Sequence, residues 1–177
     1  MEGSVNKIII TEPVLGDERA IAFIQKQTWL ETYPNQEHNI TKADVLLKDF
    51  DSQEKLEKWQ KVIKENGSGD FYFCIAKDGD KIIGYCQTAK GQDYNELKML
   101  YILPEYQRRG VGKKLSDKAI NWLGQEKEII LEVASYNQKA INFYEKYGFV
   151  KIGAGKSVEF PNGKKIPTIR LKLAKLK

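Results

Sequence analysis

The sequence predicts a mixed α/β fold, a central sheet containing one parallel strand pair with helices packed against it, and three observations carry that expectation. Residues 71–89, FYFCIAKDGDKIIGYCQTA, are two β-rich runs joined by Asp78-Gly79-Asp80, a hairpin signal. Val111, Leu115, Ala119 and Trp122 recur at helical spacing after a strand-like run, NELKMLYIL, that Pro104 ends. A further β-like run, EIILEVA at 128–134, follows that helix, so the strands ending near Ile102 and Ala134 form a parallel pair.

Taken in chain order, KIII at 7–10 reads as a short strand. DERAIAFIQKQTWLET at 17–32 reads as a helix with Ile21, Ile24 and Thr28 on one face, and Pro34 ends it. A second helical region runs from Thr41 to about Glu65, broken near Asp51-Ser52, where the serine starts a new helix; Gly67-Ser68-Gly69 stops it. The hairpin comes next, then the turn residues Gly91 to Tyr94, the third strand, the helix from Val111 and the strand at 128–134. A last helix runs from about Asn137 to Tyr147, with Gly148 as a left-handed cap. FVKIGAG (149–155) and KIPTIRLKL (165–173) then pair across a loop around Pro161-Asn162-Gly163. No repeat, low-complexity tract or linker interrupts the 177 residues, so a single domain over 1–177 is expected.

Composition narrows the function classes. Apolar residues make up 41% and charged residues 30%, and no apolar run is long enough to cross a bilayer. The start, MEGSVNKIIITE, lacks the basic, apolar and small-residue parts of a signal peptide, so a cytoplasmic protein is expected. Cys74 and Cys86 sit in β-like runs and are expected to be buried and reduced. With one histidine, His38, and no C-x-x-C spacing, a zinc cluster and a Ser-His-Asp triad both lack their ingredients, and no metal is expected. A net charge of +5 and a pI near 9.0 favour anionic partners, whether nucleic acid, lipid or a phosphorylated cofactor. The basic C-terminus, IRLKLAKLK, alternates as a strand does, and no aromatics interleave with basic residues on one surface, so no nucleic acid is expected as partner.

QRRGVGKK, 107–114, joins strand to helix. That arrangement presents unpaired backbone N–H groups and a positive helix end to an anion. Gly110 and Gly112 let a phosphate approach the backbone, and Arg108, Arg109, Lys113 and Lys114 add positive charge. Neither G-x-x-x-x-G-K-[ST] nor G-x-G-x-x-G is present, which disfavours nucleoside triphosphates and dinucleotides. Taken alone, the stretch reads equally as a solvated turn.

The neighbouring residues resemble the GNAT superfamily of acetyl-CoA-dependent N-acetyltransferases. Gln107-Arg108-Arg109-Gly110-Val111-Gly112 matches its phosphate motif [Q/R]-x-x-G-x-[G/A]. ELKMLYILPEY is similar to its fourth strand, and NQKAINFYEKYGF (137–149) to its Asn-to-Tyr-x-Lys-x-Gly-Phe helix. The resemblance covers residues 70–152. It implies a mostly antiparallel sheet whose parallel pair is splayed, with acetyl-CoA as cosubstrate and no metal.

Several residue roles are implied by the same resemblance. Backbone groups of Leu100, Tyr101 and Ile102 pair with the pantetheine arm, and backbone N–H groups from Arg108 to Lys113 hold the pyrophosphate. The Asn137 amide bonds pantetheine, Tyr144 lies near the cofactor sulfur, and Glu96, eleven residues before Gln107, matches the base of the histone-modifying members. Read by themselves, Asn137 is also an N-cap, Tyr144 a core aromatic and Glu96 a solvated strand residue. The alternative to an enzyme is a non-catalytic coenzyme A-binding sensor. The acceptor is expected to be a small-molecule amine or polyamine, with a peptide or protein amine as alternative. Trp29, Glu31, Tyr33, His38 and residues 159–163 are candidate walls for it. A membrane partner is not expected, and room remains for a homodimer.

The chemistry fits these residue types. A lysine-like amine must lose a proton before it attacks a thioester, at a cost of about 4 to 5 kcal/mol at pH 7, which Glu96 lessens directly or through water. A backbone N–H near Leu100 or Tyr101 suits the oxyanion, and Tyr144 suits proton return to the departing thiolate. The transfer is then direct, within a ternary complex.

Overall fold

A computed structural model describes residues 7–174. The first six residues of the chain, including the start of MEGSVNKIIITE, and the final KLK lie outside the described residues. The elements in order are β1 (Ile9–Thr11), α1 (Glu18–Thr32), α2 (Lys42–Leu46), α3 (Gln53–Lys64), β2 (Phe71–Asp78), β3 (Lys81–Ala89), β4 (Asn95–Ile102), α4 (Val111–Leu123), β5 (Ile129–Ala134), α5 (Gln138–Tyr147), β6 (Phe149–Ala154), β7 (Val158–Glu159), β8 (Lys165–Ile166) and β9 (Thr168–Leu173). The break in the second helical region falls where Ser52 caps α3 by accepting from the Lys55 N–H. Thr41 and Asp44 form a reciprocal capping box on α2.

Seven strands form one sheet in the order β1-β2-β3-β4-β5-β9-β6. Every neighbouring pair is antiparallel except β4 and β5, which run parallel and meet only at Asn95 with Ile129 and Glu96 with Ile130. From Leu97 onward the two strands diverge, and β5 continues in register with β9 alone. A bulge at Lys98 starts the divergence, because the β3 register steps from Gln87 opposite Met99 to Thr88 opposite Leu97. The C-terminal hairpin differs from expectation. β6 does pair with β9, but β7 and β8 form a separate two-stranded ribbon around 161–163, because the chain leaves the sheet after Ala154 and returns only at Thr168.

One face of the sheet is covered by α4 and α5. Val111, Leu115, Ala119 and Leu123 pack there with Tyr72, Cys74, Cys86, Leu131, Ile141 and Tyr144. The other face carries α1 and α3, where Ile21, Ile24, Leu56 and Trp59 meet Phe73, Ile75 and Tyr85. A smaller cluster, Trp29, Val45, Phe50, Ala134, Phe160 and Ile166, ties the end of α1 and α2 to the β7–β8 ribbon and the mouth of the splay. Hydrophobic burial therefore fixes the helices on the sheet while β4 and β5 keep an unpaired edge between them.

Candidate active site

The unpaired edge belongs to β4, and its polarity follows from strand alternation. Leu103 donates its N–H to the Ile83 carbonyl on β3 over 2.9 Å. Successive residues point their backbone groups to opposite edges, so Tyr101 and Met99 are turned to β3 while Leu100 and Ile102 face the splay. Of the three residues expected to offer backbone groups there, Leu100 and Ile102 face the splay and Tyr101 faces β3. Gln107 donates its side-chain N–H to the Ile102 carbonyl over 3.0 Å, fastening the following loop to the strand end. The Leu100 backbone and the Ile102 N–H remain on the open edge.

The loop that follows is shaped to present donors. Pro104–Tyr106 make one 3₁₀ turn, then Arg108 takes φ +62° and Gly110 φ +78°, both left-handed, before α4 begins. A positive φ at a bulky non-glycine residue is uncommon and carries backbone strain. The first bond into the helix runs from the Lys114 N–H to the Gly110 carbonyl, and none of the six N–H groups from Arg108 to Lys113 has a partner among the described residues. The two glycines do different work. A Cβ on Gly110 meets open space, whereas one on Gly112 lies 3.2 Å from Ile102 Cδ1 and 3.3 Å from Phe143, so Gly112 serves close helix packing. Val111 is buried in the core. Arg109 lies over the Tyr106 ring at 5.3 Å and Lys113 pairs with Asp117 at 2.8 Å. The positive end of a thirteen-residue helix stands at this mouth.

Asn137 and Tyr144 lie on the opposite wall of the splay, on α5. Asn137 Oδ1 accepts from the Ala140 N–H over 3.2 Å and caps the helix, while its side-chain N–H₂ has no partner among the described residues. The cap and a ligand contact thus use different ends of one amide. Tyr144 is buried between Phe143 and Phe149, with ring centroids at 5.2 and 5.6 Å. Burial, with smaller contributions from Cys86 and Tyr101, holds its hydroxyl well above the ordinary tyrosine value of 10. That hydroxyl makes no hydrogen bond among the described residues and is not among the sealed polar atoms of the interior.

Glu96 is placed apart from these groups. It stands at the paired base of the fork, opposite Ile130, and lines a cleft of about 340 Å³ with residues 89–94. Its nearest cation is Lys98, at 4.0 Å. Leu100 lies four positions further along the strand, roughly 13 Å of chain.

On the α1 face of β4, a groove of about 670 Å³ opens beside Met99, walled by Trp29 of α1, Phe50 and Lys48 before α3, and Glu159, Phe160 and Pro161 of the ribbon. Trp29 donates its indole N–H to the Tyr101 hydroxyl over 3.0 Å. Tyr33 is pushed well above its usual range, chiefly by burial and then by the neighbouring Tyr101. Tyr136 donates to the Tyr33 carbonyl over 2.8 Å, and His38 stacks on its ring at 5.0 Å. Trp29 and the ribbon thus meet as the sequence suggested, Tyr33 and His38 stand just behind them, and Glu31 points to solvent. Sequence reasoning missed Gln25, Lys48 and the Tyr101 side chain. The missed Asp44 clamps the ribbon by accepting from Asn162 and Lys164 over 2.6 and 2.8 Å, and its TKAD capping-box spacing was a local signal.

A forked sheet with a donor-rich loop at one mouth and a separate groove on the far face of the same strand is the architecture of an acyl-CoA-dependent N-acyltransferase. Residues 27–149 match the model of the acetyltransferase (GNAT) family. The chain belongs to that family, and acetyl-CoA is its cosubstrate. Its fold is similar to PaiA N-acetyltransferase from Thermoplasma acidophilum, solved in complex with coenzyme A, with TM-score 0.72, 22% identity and coverage of 94% of this chain and 98% of that one. A ribosomal-protein-alanine N-acetyltransferase from Escherichia coli matches with TM-score 0.63, 20% identity and coverage of 94% and 93%. A chimera of the spermidine N-acetyltransferase SpeG from Vibrio cholerae matches with TM-score 0.66, 21% identity and coverage of 94% and 94%. Among the described residues, no helix is long and apolar enough to cross a membrane, and no group of three or more His, Cys, Asp or Glu is placed to hold a metal.

Proposed function

We propose that this chain, as one acetyltransferase domain, transfers the acetyl group of acetyl-CoA to a small-molecule primary amine by direct attack in a ternary complex. The observation that carries the proposal is the pairing of two openings on one strand. The edge of β4 at Leu100 and Ile102 leads to the unpaired N–H groups of residues 108–113, and the groove beside Met99 reaches the same strand from its other face. Pantetheine adds to the open edge as an extra strand, through Leu100 and the Ile102 N–H, with the Asn137 amide as a further donor. Backbone donors from Arg108 to Lys113 and the α4 dipole take the pyrophosphate, Arg108 and Arg109 contribute charge, and Gln107 holds the loop in place.

In the reaction, the amine lone pair attacks the thioester carbonyl carbon. The Leu100 N–H, aimed along the open edge, is the donor suited to the oxyanion. As the C–S bond breaks, the electron pair goes to sulfur, and Tyr144 returns a proton to the thiolate. Because burial keeps the Tyr144 hydroxyl protonated far above neutral pH, it serves as an acid rather than a base. Glu96, four positions before Leu100 on β4, takes the amine proton through solvent in this reading.

A small-molecule acceptor is in keeping with the fold likeness to the spermidine N-acetyltransferase chimera. Action in the cytoplasm, without nucleic acid, belongs to the same proposal. Cys74 and Cys86 lie directly opposite each other on β2 and β3 and both are free thiols, which suits a reducing compartment. The test is a thiol-release screen with acetyl-CoA against polyamines, amino acids, peptides and aminoglycosides. Turnover of a small amine supports the proposal, and turnover confined to peptides contradicts it.

A further inference from the structure

The groove beside Met99 is lined by two lysines and two carboxylates, Lys48, Lys55, Asp49 and Glu159, and no lysine and carboxylate of these four are paired within ion-pair distance. Both acids are engaged elsewhere. Asp49 accepts from the backbone N–H and the hydroxyl of Ser52 at the start of α3, and Glu159 pairs with Lys165 across the ribbon at 3.4 Å. Neither lysine has a carboxylate within ion-pair distance among the described residues. Lys48 Nζ instead lies over the Trp29 ring at 5.0 Å, and Lys55 Nζ over Trp59 at 5.6 Å. Burial, and then the charge of Lys55, press the Lys48 ammonium below its usual value. Gln25 lines the same groove at 6% exposure with an amide that makes no hydrogen bond. One end of that amide is sealed without a partner, and the other end is less enclosed.

Lys48 and Lys55 thus line the groove without a carboxylate in ion-pair contact, beside an unpartnered Gln25 amide. A partly desolvated cation beside a second cation costs free energy, and an anion placed between them relieves it. The location fits an acceptor rather than coenzyme A. The ring under Lys48 is Trp29, which is bonded to Tyr101, the residue after Leu100.

We propose that the acceptor bears an anionic group as well as its amine, and that Lys48, with Lys55 and Gln25, holds that anion so that the amine is presented to β4. This narrows the substrate class of the acetyltransferase reading and rests on it. The selection is for carboxylated amines and against polyamines, whose second ammonium would face the two lysines.

The experiment measures thiol release at saturating acetyl-CoA with three acceptors of matched length, ε-aminocaproate, hexylamine and hexamethylenediamine. Aminocaproate is expected to exceed the other two in kcat/KM by about 10-fold, the effect of one charge-assisted contact. Lys48→Met brings the ratio of aminocaproate to hexylamine close to one, mainly through KM, and Lys48→Glu reverses the order in favour of the diamine. Lys55→Met, on a different element, gives an independent arm if the Lys48 variants fold poorly. A wild-type preference for the diamine, or a preference for aminocaproate that survives both Met variants, overturns the inference and leaves the acetyltransferase reading standing. Turnover of no amine, with acetyl-CoA binding intact by calorimetry, overturns that reading and this inference with it.

Discussion

The indole N–H of Trp29 donates to the Tyr101 hydroxyl over 3.0 Å, joining the last turn of α1 to the splayed half of β4. The bond sets the proposed acceptor groove against the strand proposed to face the cofactor, so this side-chain contact couples the two surfaces. Trp29→Phe keeps an aromatic ring under Lys48 and removes the bond. It is expected to cost about 1 kcal/mol in stability, to raise the acceptor KM several-fold and to leave acetyl-CoA affinity in place. Urea unfolding with steady-state kinetics checks this, and a rise confined to the KM of acetyl-CoA contradicts it.

Tyr144 is expected to act through its hydroxyl. Tyr144→Phe should lower the single-turnover rate by about 10²-fold, within the range for general acid catalysis, with acetyl-CoA affinity nearly intact. Because burial raises the hydroxyl well above 10, no falling limb from Tyr144 is expected in the wild-type pH profile up to that value. Equal losses of stability and turnover would make it a packing residue. The same profile tests Glu96. A relay role predicts that Glu96→Gln slows transfer near neutral pH and that the deficit fades as rising pH deprotonates the amine unaided. A variant indistinguishable from wild type at every pH removes Glu96 from the reaction.

How much of this was legible in the sequence follows from where each contact lies along the chain. Gln107 to Gly112, and Asn137 to Tyr144, are local spacings on a strand-to-helix loop and on one helix, so their pattern survives in one dimension. Leu100 was legible as a strand residue, but the edge it faces depended on the Lys98 bulge and the β3 register, which turned Tyr101 the other way. The groove was not legible because Gln25, Lys48, Met99 and Phe160 come from four distant segments. Gln25 did leave one trace, a polar residue on the helix face of Ile21, Ile24 and Thr28. The split of the C-terminal hairpin escaped because β7 and β8 are two residues each, too short for alternation to register.

Asn137 is expected to serve two partners with one amide. Asn137→Asp retains an oxygen for the Ala140 N–H and is as good an N-cap, so thermal stability should change little. It replaces the N–H₂ donor by a negative charge, and acetyl-CoA affinity should fall by about 10-fold, the effect of roughly one hydrogen bond. Unchanged affinity in calorimetry would restrict Asn137 to capping.

Asp44 predicts a pH dependence. The Lys164 ammonium, followed by the Thr41 N–H and hydroxyl, holds its carboxyl well below the ordinary 3.8. A depressed folded-state value means that the stabilisation is present in full above that ordinary value and is lost as pH falls through it toward the folded one. Asp44→Asn should therefore be less stable than wild type at neutral pH, with the gap narrowing below pH 3.8. It should also raise the acceptor KM, since the clamp on Asn162 and Lys164 positions the ribbon beside the groove. Urea midpoints at neutral and acidic pH check the sign, and a gap that widens in acid contradicts it.

The central claim is that the loop from Gln107 to Lys113 receives the pyrophosphate of acetyl-CoA through unpaired backbone N–H groups. Gly110 is the position to challenge, because a Cβ added there meets no protein atom within 4 Å, away from the core contacts that surround Gly112. Gly112 is a poorer choice, since Ile102 and Phe143 fill its surroundings. Gly110→Asp brings a carboxylate to the expected phosphate position, at a backbone cost of roughly 1 kcal/mol for a left-handed aspartate. Calorimetric titration of acetyl-CoA into wild type and Gly110→Asp, with unfolding curves confirming that both are folded, is the direct measurement. The account predicts binding to the wild type and none detectable in the variant, and an unchanged affinity in the folded variant would contradict it.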